Sequence, residues 1–431
     1  MLRGGKHGSV ITTSDIDDRT YQSETLQQNE TVLLLGEVKP NSATVIFSLW
    51  STMIGSTLLL MPRITRDAGI FPSIGATVLM CISNTFTATL MIRLGDAYGM
   101  NTAAVLEQFG RAVHMFGVLV SVVVLLGACS IYHIYICDGV MKLASVPIDD
   151  MKYRPLFAVG IALVVFVVGL LKHLQPLFKA AGYAIVLVML IVAFILVKAV
   201  LQFTDKKTDC VPSSSPLGMG WNGFGPFVEN CAAMALSLYI HSLLLPILRC
   251  ATRPEKNTRD LCVAFVATAT SIAGPAALAA YAFRNCETIS SDFLTMFDDW
   301  FTTVARCAVI LLVAIVYPIL LFNSRQQTIP ILLQREDFPY WCHVLFNVVA
   351  LVLCTIPCAI HAQTTIVATT LGVCAIMWVT LLPVAMHWAH VRRTDPERQT
   401  FLFIAVHAVL CLFGVGLIIV TLLSETTKIL N

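Results

Sequence analysis

Eleven apolar stretches of bilayer-spanning length divide this chain, and no soluble core could absorb them. They fall at 42–66, 70–92, 114–140, 155–171, 180–203, 226–249, 261–283, 302–323, 340–360, 364–388 and 400–423. A helix crosses a bilayer core with roughly 17 to 25 apolar residues. Lipid offers no partner to a bare N–H or C=O, so runs of this length are expected to be helices. Only 13% of the 431 residues are charged, about half the share of a globular domain, and mean hydropathy is +0.79. The expected fold class is an all-α integral membrane protein of eleven transmembrane helices. Residues 1–41, polar and mixed in charge, are expected to be a cytosolic tail, with 42–431 as one membrane domain. Segment 4 (155–171) is short. Segment 8 (302–323) carries Arg306 near one end, where a long side chain can snorkel to the interface.

Lysine and arginine in the loops set the orientation, because basic loops resist translocation. Of 28 such residues, 17 lie on the tail's side of the expected membrane and 10 on the other, with Arg306 inside a segment. The amino terminus is therefore expected in the cytosol and the carboxyl terminus outside or in a lumen. The tail has no apolar core resembling a cleaved signal peptide. It does contain Glu30-Thr31-Val32-Leu33-Leu34-Leu35, the pattern of an acidic dileucine signal read by cytosolic sorting partners; the alternative is a short apolar segment packed under the first helix. The sequon Asn29-Glu30-Thr31 would go unused on a cytosolic tail.

A net charge of +2 gives no basic face able to neutralise phosphates, so nucleic acid is not an expected partner. The 14 cysteines show no CxxC or Cys/His spacing of a zinc site, so metal catalysis is not expected, and no cofactor is expected beyond a coupling ion, sodium or proton. Cys210 and Cys286 fall in long loops on the same outer side. They are read as a disulfide or as two unpaired thiols, and an oxidising compartment favours the bond.

Within segment 1, Trp50-Ser51-Thr52-Met53-Ile54-Gly55-Ser56-Thr57-Leu58-Leu59-Leu60-Met61-Pro62 interrupts the apolar run. Gly55 weakens a helix, and Ser51, Thr52, Ser56 and Thr57 can satisfy backbone groups locally. The stretch can unwind in the membrane and turn freed N–H groups toward a carboxylate, as broken helices of secondary transporters do. The alternative is a kinked or tightly packed helix. A repeat of five helices plus five of opposite orientation, with an eleventh appended, makes segment 6 its counterpart. There Glu229 and Asn230 sit near the outer end and small residues fill the middle. Ser237, Tyr239, His241 and Ser242 then precede Pro246. Glu229 is read as a functional or an outward-snorkelling interfacial acid. His241 is read as a proton carrier or a satisfied structural group. Segment 3 carries Ser130, Tyr132, His133, Tyr135 and Asp138. An intramembrane enzyme using His241 or Asp138 was weighed, but no Ser-His-Asp or paired-carboxylate pattern is legible.

Three islands then carry a resemblance: Ile46–Pro62 with Asp67-Ala68-Gly69; Tyr239-Ile240-His241-Ser242 with Thr258-Arg259-Asp260-Leu261-Cys262-Val263-Ala264; and Ala305-Arg306 with Val316-Tyr317-Pro318-Ile319-Leu320. Together they resemble the amino acid/auxin permease superfamily, within it the sodium-coupled neutral amino acid transporter group, and most closely its lysosomal, arginine-sensing branch. The resemblance implies a LeuT-like 5+5 inverted repeat plus one helix and secondary active transport of amino acids, either proton- or sodium-coupled. It implies a lysosomal or similar endomembrane address, with the plasma membrane as the alternative, and a disulfide between Cys210 and Cys286. The implied substrate-binding set, joined to the residues of segment 6, is Thr52, Met53, Gly55, Ser56, Thr57, Ser237, Tyr239 and His241. A non-transporting amino acid sensor of the same fold, with signalling partners on its tail, is the alternative. Two features depart from the pattern. The family's sodium site draws hydroxyls from segment 8, yet no Ser or Thr occurs between Ala305 and Phe322, leaving Ser51, Thr302 and Thr303 as a substitute set. The tail is also much shorter than that of the arginine-sensing branch.

Overall fold

The computed structural model describes residues 41–55, 57–170, 175–205, 219–249, 251–286, 289–333 and 339–430. The tail with its dileucine and sequon motifs, Ser56 and Cys210 lie outside the described residues. The described residues are mostly helical. Segment 1 is split into α1 (Ser42–Met53) and α2 (Thr57–Ala68). Segment 2 is α3 (Ile70–Tyr98); a short α4 (Thr102–Glu107) leads to segment 3, α5 (Arg111–Leu143). Segments 4 and 5 are α6 (Arg154–Gly169) and α7 (Gln175–Asp205). Segment 6 is split into α8 (Phe224–Ser237) and α9 (His241–Arg249). Segments 7, 8 and 9 are α10 (Asn257–Ala282), α11 (Trp300–Leu333) and α12 (Tyr340–Ala359). Segment 10 runs through α13 (Thr364–Ile376), a π-helical turn at Met377–Leu381 and α14 (Leu382–Thr394); segment 11 is α15 (Phe401–Leu430).

By length and composition, nine helical runs among the described residues can cross a membrane, and the bent α1–α2 pair makes a tenth. The eleventh expected crossing, α6, has 16 residues and falls short of that measure, so the count of eleven is an expectation the helices do not reach.

Packing gathers the helices around the two split ones. α11 lies against α5 and α7, α13 against α8 and α5, and α10 against α1, α2 and α3. Membrane helices gain little from burying apolar side chains against one another, so close backbone approach matters more. Gly372 on α13 shows this: a Cβ there would stand 2.5 Å from the carbonyl oxygen of Ala232 on α8. α15 sits at the rim against α8 and α13, and its outward face, with Phe401 88% and Leu412 73% exposed, suits lipid.

One end of the bundle holds most of the buried charge. Arg154, fully buried at the start of α6, pairs with Asp138 of α5 at 2.8 Å. It also donates to the carbonyls of Cys358 at 2.7 Å and Ile148 at 3.0 Å. The sequence marks Asp138 as an acid of segment 3 but gives no sign of its partner. Cys286 is bonded in a disulfide.

Candidate functional site

The break in segment 1 follows from its residues. Ile54 leaves the helical region at φ −80° and ψ 98°, and Gly55 follows with no Cβ to oppose the turn. α1 and α2 meet there at 61°. The hydroxyls of Ser51 and Thr52 donate back to the carbonyl of Ser48, at 3.2 and 2.7 Å, so both are satisfied within α1. In segment 6 the helix stops after Ser237 and restarts at His241.

The two breaks face each other. Ser237 Oγ lies 2.8 Å from Thr57 Oγ1 and 2.9 Å from the carbonyl of Ala233. Between them is a cavity of about 50 Å³ lined by Thr52, Met53, Gly55, Thr57, Leu236, Ser237, Tyr239 and Leu243, with Val124, Leu125, Ala128, Ile131 and Tyr132 of α5 and Leu320 of α11. Six of the residues named from the sequence are therefore brought together, and Ser56 lies outside the described residues. His241 does not join them. Its ring is fully buried behind the break, 3.0 Å from Thr87 Oγ1 and packed on Phe265 and Trp378. The wall from α5 was missed as a site, because in an apolar segment a lining residue looks like a lipid-facing one; only Tyr132, with its hydroxyl, had stood out. Ser121, which accepts from the Tyr239 hydroxyl at 3.0 Å, was missed for the same reason.

In the substitute sodium set of Ser51, Thr302 and Thr303, both threonine hydroxyls are engaged at the start of α11. Thr302 donates from its amide and its hydroxyl to Asp299, at 2.8 and 2.9 Å, and Thr303 donates to the Asp299 carbonyl at 3.2 Å. Both are thus held in the first turn of α11, with Asp299 as its cap. Leu320, which lines the cavity, lies 18 residues further on, about 27 Å along the axis. Glu229 is half-buried near the start of α8 and does not line the cavity.

Among the described residues no carboxylate, histidine, lysine or arginine lines the cavity. The end of α1 presents carbonyls and the start of α2 presents amides, so the partial charges of two helix ends meet at the break. Such an arrangement can hold a zwitterion, with the carboxylate on the α2 amides and the ammonium on the α1 carbonyls. The apolar wall then takes the side chain.

A family model described as transmembrane amino acid transporter protein matches residues 40–427. The chain belongs to this family, a family of transporters rather than enzymes. Among curated proteins none matches the chain.

Proposed function

We propose that this protein is a secondary transporter of small neutral amino acids across an endomembrane, working by alternating access around the broken segments 1 and 6. The observation that carries the reading is the meeting of the two breaks at one uncharged cavity, where Thr57 and Ser237 share a hydrogen bond of 2.8 Å. A water needs about 10 to 15 Å³ of such space, so about 50 Å³ suits a small side chain better than arginine, for which the wall also offers no counter-charge. Segments 1 and 6 are then equivalent members of a five-plus-five inverted repeat, with α15 the appended helix. The endomembrane address rests on the dileucine motif and the family resemblance. The orientation, amino terminus in the cytosol, rests on the distribution of basic residues, and Cys210 is the partner we assign to Cys286. Uptake of labelled amino acids into proteoliposomes, run over the twenty, tests the reading. Glycine, alanine or serine is expected to lead, and binding without uptake would replace the transporter with a sensor.

The same geometry bears on coupling. A desolvated sodium ion needs several oxygen ligands, and an intact helix offers mainly side-chain hydroxyls; α11 brings none to the cavity. Replacing sodium with choline at fixed pH is expected to change initial uptake by less than about twofold, under ~0.4 kcal/mol. A drop of about tenfold, near 1.4 kcal/mol, would show an intact sodium site. His241, read from the sequence as a candidate proton carrier, does not line the cavity, and neither does His133 of segment 3. His133 is enclosed, with Nε2 2.9 Å from the Ala158 carbonyl and Nδ1 3.2 Å from the Tyr317 hydroxyl.

A further inference from the structure

The connection from α10 to α11 folds back over the bundle end that carries Asp138 and Arg154. Its residues Phe293–Met296 form a turn of 3₁₀ helix that packs on α2 and α11. Phe293 and Phe297 lock into Phe283 and Phe194. The Tyr135 hydroxyl donates to the Ser291 carbonyl at 3.3 Å, and Arg306 of α11 donates to the Leu294 carbonyl at 3.3 Å. Tyr135 is one turn of α5 beyond the cavity-lining Tyr132, so the connection and the cavity share a helix.

Asp292 sits at the hinge of this fold-back. It is 9% exposed, and its Oδ1 accepts from the Leu294 amide at 3.0 Å, which caps the 3₁₀ turn. Among the described residues no cation lies within ion-pair distance of it. The charged groups around it are committed elsewhere. On α5, Asp138 holds Arg154 of α6, and Lys142 reaches Asp298. On α7, Lys198 holds Asp299. On α2, Arg66 holds Asp67 and donates to the Cys286 carbonyl at 3.0 Å. Beyond Asp138, His361 pairs with Asp149. The nearest free influence is Arg306, whose hydrogen bond goes to a carbonyl. A carboxylate buried without a counter-ion is costly, and the usual relief is a proton.

We propose that Asp292 is the proton-binding site of the transport cycle: as the neutral acid it holds residues 289–299 closed over α2, α5 and α11, and as the anion it releases them. This rests on the transport reading above for its place in the cycle, though not for the switch itself. Burial, reinforced by repulsion from Asp138 and only partly offset by the Leu294 amide and Arg306, pushes its pKa up to about 7. The sign follows. A carboxyl group whose pKa is raised in the closed form favours that form in acid, and the advantage is lost as pH rises through about 7. The closed connection thus takes up one proton and gives it back on opening, which is what a proton-coupled cycle requires of one of its gates.

Hydrogen exchange of the 289–299 backbone in the full-length protein, without substrate and corrected for intrinsic rates, is the first test. Protection in the wild type is expected to fall as pH rises from 5.5 and to level off above about 7, where the carboxyl group is ionised in both forms. Asp292→Asn retains the capping oxygen and cannot ionise. It should keep the acid level of protection at all pH values, and uptake by it should vary less than about 1.5-fold over a range where the wild type varies about threefold or more. A wild-type profile flat across this range, or an Asp292→Asn profile equal to the wild type's, overturns the proposal. Protection that switches with Asp292 while no amino acid is taken up upholds the proton site and sinks the transport reading.

Discussion

Gly55→Val is expected to nearly abolish amino acid binding while leaving the protein folded and targeted. A Cβ on Gly55 would stand 2.6 Å from the Tyr132 hydroxyl oxygen. That oxygen is the far end of a side chain, so the tyrosine yields rather than the fold. Its ring then swings into the cavity, and valine's two γ-carbons fill what remains of the break. The substrate loses both its space and its approach to bare backbone. Gly75→Val, on the exposed face of α3 with nothing within 4 Å of the added carbon, is the control and should bind normally. Scintillation proximity with a labelled amino acid, beside gel filtration for folding, makes the comparison. Binding by Gly55→Val within about twofold of the wild type, roughly 0.4 kcal/mol, would show that the substrate lies elsewhere.

Arg154→Met should cost the protein about 3 to 5 kcal/mol of stability, because it strands the Asp138 carboxylate in a buried, poorly solvated place. Arg154 is fully buried and ties α6 to α5 through Asp138 and to α12 through the Cys358 carbonyl. The expected result is a sharp fall in the yield of monodisperse protein and in its unfolding temperature. The informative partner is the double variant Arg154→Met with Asp138→Leu. Removing both charges at once leaves no orphan, and exchange of a buried pair for apolar groups is often close to neutral. Most of the lost stability should therefore return. A single variant that costs less than about 1 kcal/mol, or a double variant no better than the single, would show that the pair does not carry the α5–α6 contact.

Much of the architecture was open to a reader of the chain alone, because the bilayer imposes a local rule. A long apolar run must satisfy its own backbone, so hydropathy alone marks the helices, and the exceptions stand out: Gly55 amid hydroxylic residues, and the Ser237–Ser242 stretch before Pro246. Six cavity-lining residues came from those two exceptions. Family membership over residues 40–427 agrees with the resemblance read from the same islands, at the level of the amino acid transporter family.

What the chain by itself could not decide is which apolar surface meets protein and which meets lipid. In a soluble helix the wet face is polar and betrays the dry one; in a membrane helix both are apolar, and the wall formed by Val124, Leu125, Ala128 and Ile131 has no signature. Tertiary structure alone seals His241 behind the break, about one turn past a residue that does line the cavity. It alone leaves Thr302 and Thr303 at the start of α11, where a length of helix separates them from the break. It also brings Asp138 to Arg154 across a loop, and leaves Asp292 buried, with no counter-ion among the described residues, between helices far apart in the chain. Helix formation is set by neighbours three and four residues away, so sequence determined it; the closing of the cavity depends on contacts across 100 residues or more, such as Thr57 to Ser237, and the pairing of Asp138 with Arg154 on how two helices dock, and only the packed bundle supplies these.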